Sequence, residues 1–221
     1  MAGMRRREPL LSRYRMPDPR AALANGLVAS GGDLEPGTVL AAYRSGIFPW
    51  PDESGRLFWW SPDPRAILPL DAFHESRRLA RRRRSGGFSV SMNRACAEVI
   101  DGCGDRTEGT WITPAMRAAY LELHELGWVH SVEVWKDARL VGGLYGVAIG
   151  GFFAAESMFH MATDASKVAL AELVEHLDRS RFSLLDVQFL TPHLASLGAA
   201  AISRDDYLAR LSLAIAVDAR F

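Results

Sequence analysis

The sequence predicts an α+β fold. Three observations carry the prediction: β-forming runs crowd together from Val132 to Met158, a strongly amphipathic helix follows them, and a short apolar strand and a capped helix close the chain. An antiparallel meander followed by helix, strand and helix is α+β organisation. The Pro-rich stretch Ser61–Arg65 separates this body from a smaller N-terminal unit. The expected domains are therefore residues 1–62 and residues 63–221.

The elements follow in order. Residues up to about Leu23 are rich in Pro and Arg and are expected to be loosely ordered. Gly31-Gly32-Asp33 makes a turn. Pro36 then opens a helix carrying Val39, Leu40 and Tyr43, which Gly46 ends. Asn93 to Cys103 reads as a helix with Ala95, Val99 and Ile100 inward. Thr113 caps the next helix, with Pro114 at its first position and Tyr120, Leu123 and Leu126 following. Val132–Trp135, Leu140–Ile149 and Phe152–Met158 are strands, joined by Lys136-Asp137 and by the hairpin turn Gly150-Gly151. Ala165–Leu177 places Leu170, Leu173, Val174 and Leu177 on one side of a helix. Leu184–Val187 is a short buried strand, and Ser203-Arg204-Asp205-Asp206 begins the last helix.

Composition excludes several classes. The chain has 221 residues, 48% of them hydrophobic, enough for a sizeable core. It contains no run of about eighteen apolar residues, so no membrane span is expected. The N-terminal arginines lead into no apolar segment of the secretory type, which points to the cytoplasm. Cys96 and Cys103 lack the further Cys/His pair of a zinc site, and read as core thiols. Neither metal nor cofactor is expected. No G-x-S-x-G, Walker A or Rossmann fingerprint occurs. His130 and His193 read as structural histidines.

Formal net charge is zero, with 26 basic and 26 acidic residues, but the basic ones cluster. Arg77, Arg78, Arg81, Arg82, Arg83 and Arg84 form a dense block; Arg5-Arg6-Arg7 with Arg13 and Arg15 form another. The N-terminal cluster reads as a disordered arm. The central block reads as a phosphate site, because so many like charges repel without a counter-charge and because arginine suits bidentate phosphate contact. A solvated helix face is the alternative.

The densest aromatic stretch is Ile47-Phe48-Pro49-Trp50 with Phe58-Trp59-Trp60-Ser61-Pro62-Asp63-Pro64-Arg65. Proline fixes the backbone and tryptophan offers a flat apolar face with one donor. Such a segment builds either a wall for a flat ligand or a small aromatic core under a loop. Together with Gly109-Thr110-Trp111-Ile112-Thr113-Pro114, Leu140-Val141-Gly142-Gly143-Leu144-Tyr145-Gly146, Glu156-Ser157-Met158-Phe159, Asp186-Val187-Gln188 and His193-Leu194-Ala195-Ser196-Leu197-Gly198-Ala199, it resembles the leucyl/phenylalanyl-tRNA–protein transferases, with the blocks in family order from about Asn25 to Leu211.

The resemblance implies a GNAT-like acyltransferase domain behind a small N-terminal domain. It implies transfer of Leu or Phe from Leu-tRNA or Phe-tRNA to the α-amino group of proteins beginning with Arg or Lys, creating an N-degron read by a protease. Exchanging an ester for an amide is downhill, so the site must supply orientation, one proton acceptor and oxyanion stabilisation. Asp186 and Gln188 lie two apart on one strand and so share a face. Resemblance assigns them to the attacking amine, with Gln188 orienting it and Asp186 stabilising its charge or taking its proton through a relay. Val187 stands where many relatives carry cysteine, which argues against an essential thiol. Glu156, read as sharing a face with Ala154 and Met158, would meet the acceptor's cationic end. An internal salt bridge is the alternative for that glutamate.

Resemblance further places Leu144, Met158, Leu173 and Leu185 around the donor side chain. It stacks the terminal adenosine on Trp50 and Trp111, with Tyr43, Tyr120 and Phe153 lining the site. Trp59, Trp60 and Trp135 read as structural. A monomer is expected. Competing readings are a non-catalytic tRNA-binding module and a coenzyme-A-dependent transferase. The second needs a pyrophosphate loop, which Arg139-Leu140-Val141-Gly142-Gly143-Leu144 approaches but ends inside a strand run.

Overall fold

A computed structural model describes residues 5–105 and 109–221. Strand β1 (Leu27–Ser30) leads into helix α1 (Pro36–Arg44), whose chain reverses at Gly46 with φ 79°, a left-handed conformation that glycine adopts without strain. Strands β2 (Phe48–Pro49) and β3 (Phe58–Trp60) complete a three-stranded sheet in the order β1-β3-β2. The aromatic segment is thus sheet, and its prolines sit at the ends of very short strands.

The Pro-rich stretch hides the start of the main sheet. Strand β4 (Arg65–Ile67) is followed by α2 (Arg77–Ser85), β5 (Ser89–Met92), α3 (Cys96–Gly104), α4 (Pro114–Glu125), β6 (Val129–Lys136), β7 (Arg139–Ile149), β8 (Phe152–His160), α5 (Ala165–Arg179), β9 (Leu184–Gln188), α6 (Pro192–Ser196), β10 (Ala200–Ile202) and α7 (Arg204–Ile215). Seven strands form one sheet in the order β10-β4-β9-β8-β7-β6-β5. All its pairs are antiparallel except β8–β9, which α5 connects as a crossover.

Helices cover both faces. On one, Val39, Leu40 and Tyr43 of α1, Val99 and Ile100 of α3, Tyr120 and Leu123 of α4 and Tyr207 and Leu211 of α7 pack on Tyr145, Val147, Phe152 and Ala154. On the other, Leu170, Leu173, Val174 and Leu177 of α5 pack on Leu144, Ala148, Phe153, Leu185 and Val187. Burial on both sides explains why β7–β9 read as nearly continuous apolar runs. The caps behave as the sequence requires: Thr113 accepts from Met116 N–H and Ser203 from Asp206 N–H.

Two expectations are corrected. Helix α3 starts at Cys96 rather than Asn93, because Asn93 has φ 59° and its side-chain oxygen accepts Ser131 N–H at 3.2 Å. The described part of the N-terminal arm is docked rather than loose. Arg7 N–H donates to Leu126 O at 2.9 Å, Trp128 Nε1 donates to Arg7 O at 2.9 Å, and Arg6 and Arg44 lie 5.1 and 5.2 Å from the Trp128 ring. Arg13 and Arg20 pair with Asp33 and Asp205. Those acids are the counter-charges that the arm's basic composition concealed. Cys96 and Cys103 are buried and form no disulfide among the described residues, and burial pushes Cys96 up to about 12, which makes it inert.

Candidate active site

Asp186 sits on β9 with none of its surface exposed, and its charge is met by Arg65 of β4, equally buried. The register that sets Ile67 beside Asp186 brings them together. Arg65 Nε and Nη2 reach Oδ1 and Oδ2 at 2.9 and 2.6 Å. The Tyr207 hydroxyl donates to Oδ2 at 3.0 Å, and Gln188 N–H donates to Oδ1 at 3.0 Å. Arg65 in turn donates to Gly46 O at 3.2 Å and lies 4.7 and 4.4 Å from the Phe48 and Tyr207 rings. Burial pulls this guanidinium down, but the attraction of Asp186 outweighs it and keeps Arg65 above its ordinary range. Sequence reasoning missed both Arg65 and Tyr207. The available signal was an arginine amid prolines and apolar residues, where a buried charge requires a partner.

Gln188 ends β9 in a left-handed conformation, φ 57°. Phe189 N–H bonds Val187 O across it at 2.6 Å, closing a three-residue turn. The turn lets the Gln188 side chain reach Glu156 while its own N–H caps Asp186. Gln188 Nε2 donates to Glu156 Oε1 at 3.4 Å.

Glu156 is the extra residue of a β-bulge: Tyr145 pairs with Ser157 and Gly146 with Ala155, leaving Glu156 unmatched. The bulge corrects the expected facing. Ala154 faces the α1–α4 side, whereas Met158, past the bulge, packs toward α5. Tyr120 donates to Glu156 Oε2 at 2.8 Å, and the Tyr43 and Tyr120 hydroxyls are 2.8 Å apart. Burial pushes the Glu156 carboxyl up to about 7; hydrogen bonds from Tyr43 and Tyr120 pull it down, Asp186 pushes it up and Arg65 pulls it down.

The aromatic residues divide into two groups. Trp50 and Trp111 stack with centroids 5.0 Å apart and planes at 26°, along an open cleft of about 1120 Å³ shared with Trp60 and Phe58. Phe189 places its ring edge-on to Trp50 and to Phe48, 5.9 Å from each. Tyr43 and Tyr120 are buried at Glu156 and do not line this cleft. Phe153 lies on the opposite face of the sheet, stacked 5.5 Å from Phe221, because strand alternation turns it toward α5. Trp59 donates to Gly31 O and Trp135 to Ser91 Oγ, each at 2.8 Å, as structural indoles do. Trp60 donates to Trp50 O at 3.3 Å and also borders the cleft.

Leu144, Leu173 and Leu185 pack together in the α5-side core with Met158 beside them. The three leucines are closed off from solvent, and Met158 lines a cavity of about 390 Å³.

The arginine block is not six equivalent charges. Arg83 is held by Glu75, Glu172 and Glu175, and Arg78 bonds Asp164 at 3.1 Å. The counter-charges judged missing from the block lie partly on α5, more than eighty residues away in sequence. Arg78, Arg81 and Arg82 line a polar cleft of about 470 Å³ with Thr163 and Asp164, and buried Arg82 Nε has no hydrogen-bond partner among the described residues. Arg77 and Arg84 are exposed.

The family model described as leucyl/phenylalanyl-tRNA protein transferase matches residues 67–212, and the model for that family's N-terminal domain matches residues 32–63. The chain belongs to the leucyl/phenylalanyl-tRNA–protein transferase family. It is an aminoacyltransferase. A curated member from Stutzerimonas stutzeri (strain A1501) is 53% identical over 192 residues, covering 86% of this chain and 85% of the relative. One from Thiobacillus denitrificans is 49% identical over 211 residues, covering 93% and 92%. A solved structure of FemX overlaps 64% of this chain and 60% of its own with a TM-score of 0.48 at 12% identity. Among the described residues, no helix is long and apolar enough to cross a membrane.

Proposed function

We propose that the protein moves Leu or Phe from aminoacyl-tRNA to the α-amino group of proteins that begin with Arg or Lys, in the cytoplasm and as a monomer, and so marks them for degradation. The observation that carries this reading is the meeting of Glu156 and Gln188 on adjacent parallel strands, one residue from the ring that joins them to the Trp50–Trp111 stack. A cation-binding carboxylate and an orienting amide suit an incoming ammonium. Indole faces suit a base.

Gln188 orients the amine through its side-chain oxygen while its Nε2 holds Glu156. Asp186 fixes the turn that presents Gln188. The terminal adenosine stacks on Trp50 and Trp111, whose rings must part by the thickness of one base. The acyl side chain enters beside Met158, past the bulge, and reaches Leu144, Leu173 and Leu185 as that closed core opens. Arg78, Arg81 and Arg82 contact phosphates, which position the tRNA without reading its sequence. The reaction as written needs neither metal nor cofactor.

The deciding experiment offers labelled Leu-tRNA and Phe-tRNA to matched peptides beginning with Arg, Lys or Ala. Label on the Arg and Lys peptides alone is expected. Equal labelling of the Ala peptide would remove the acceptor rule.

A further inference from the structure

We infer that Glu156, not Asp186, accepts the proton that the acceptor's α-ammonium must lose before it attacks. The inference rests on the aminoacyl-transfer reading above and assigns one step within it.

The two carboxylates differ in what remains free. Asp186 accepts four hydrogen bonds, two of them from a guanidinium fork, so a further proton would have to displace a buried charge pair. Its role is to hold the Gln188 turn. Among the described residues, Glu156 is met only by neutral donors: Tyr120 at 2.8 Å, Tyr43 beside it, and Gln188 at 3.4 Å. It is partly exposed, and the bulge leaves it unmatched in the β7–β8 ladder. The charged and titratable groups around it include Tyr43 on α1, Tyr120 on α4, Arg65 on β4, Asp186 on β9 and Tyr207 on α7. None of these is a cation paired directly with its carboxylate.

Its position on the pH scale agrees. Burial holds the carboxyl near 7, close to an ordinary α-amino group at about 7.7–8.0, so the transfer is nearly balanced and readily reversed. The ammonium gives one proton to a Glu156 oxygen. The freed nitrogen lone pair forms the C–N bond to the ester carbonyl carbon. When the C–O bond to the ribose breaks, the departing oxygen takes the second nitrogen proton and leaves as a hydroxyl. Glu156 then returns its proton to solvent, which accounts for the one proton the overall reaction releases.

The test is single-turnover transfer from Phe-tRNA at saturating Arg-peptide across the neutral pH range. Glu156→Gln is expected to lower the saturated rate at neutral pH by about 10²-fold or more. A peptide carrying an aminooxy group in place of its N-terminal amine is unprotonated at neutral pH, and should remove most of that defect. Tyr120→Phe deletes a donor that favours the ionised carboxylate, and should move the acid limb to higher pH. A Glu156→Gln enzyme with a raised peptide KM but an unchanged saturated rate and acid limb would overturn the proposal. So would a defect equally large with the aminooxy acceptor. Unaltered tRNA affinity establishes that the variant is folded; if that affinity falls, the Tyr120→Phe limb decides, and an unmoved limb overturns the proposal. Wild-type protein that transfers nothing at any pH would instead refute the transferase reading itself.

Discussion

At Gln188 the left-handed backbone and the side-chain contact to Glu156 depend on the same three-residue turn. A non-glycine residue there carries strain of order 1–3 kcal/mol, retained because the turn also caps Asp186. Gln188→Ala and Gln188→Gly both delete the amide, but only glycine relieves the backbone. Glycine should therefore be the more stable of the two by about 1 kcal/mol in denaturant unfolding, with transfer impaired in both. Asp186 behaves differently. Asp186→Ala strands the buried Arg65, so stability should fall by about 3–5 kcal/mol, and lost activity in that variant would not isolate a chemical role. Equal stability of wild type and Asp186→Ala would show that Arg65 finds another counter-charge.

Among the elements, α2 carries two kinds of arginine that its sequence runs together. Arg83 faces α5 and its glutamates, whereas Arg78, Arg81 and Arg82 border the polar cleft. Arg83→Ala should cost about 1 kcal/mol of stability and leave the salt dependence of tRNA affinity in place. Replacing Arg78, Arg81 and Arg82 by Gln should flatten that dependence by roughly one unit of slope per lost phosphate contact. The converse pattern would exchange their roles. The same contrast marks what sequence can express. The periodicity of α5, the Thr113 cap and the Gly150-Gly151 turn are local, and they were legible. The Asp186–Gln188 spacing was also legible. The partners of Asp186 lie 121 residues upstream and 21 downstream, and no local pattern announces such pairs. The bulge at Glu156 was hidden for a related reason: an extra residue in one strand appears only against its neighbour's register. The three-residue strands β3, β4 and β10 were too short to show a period.

For the whole molecule, partly buried Glu156 and buried His130 give stability opposite slopes against pH. Glu156 holds its proton in the folded state up to about 7 but releases it near 4.5 when unfolded. The folded state then binds more protons, so this contribution is full below about 4.5 and is lost as pH rises to about 7. His130, pushed down to about 3 by burial and by nearby Arg6 and His124, is neutral when folded and protonated when unfolded below 6.5. Its contribution is present above 6.5 and lost as pH falls toward 3. The stability difference between wild type and Glu156→Gln isolates the first group. Wild-type stability relative to Glu156→Gln should fall by about 1.4 kcal/mol per pH unit as pH rises between those two values, read from urea midpoints at fixed slope. A pH-independent difference would place Glu156 in the ordinary carboxylate range.

The Trp50–Trp111 stack bears on a problem of supply. Loose adenine nucleotides in any cell far outnumber charged tRNA, and each carries the same purine. A slot already filled by two indoles in contact gives a lone purine nothing until the pair is prised open, and stacking offers only about 1–3 kcal/mol in return. On the proposed binding mode, a ligand anchored elsewhere, by phosphates along α2 and by an acyl chain beyond the bulge, would bring its base to the slot at high local concentration. Free adenosine should accordingly be a feeble inhibitor, and an aminoacylated acceptor-stem fragment a strong one. Closed indoles would in this way keep the enzyme vacant amid a crowd of look-alikes.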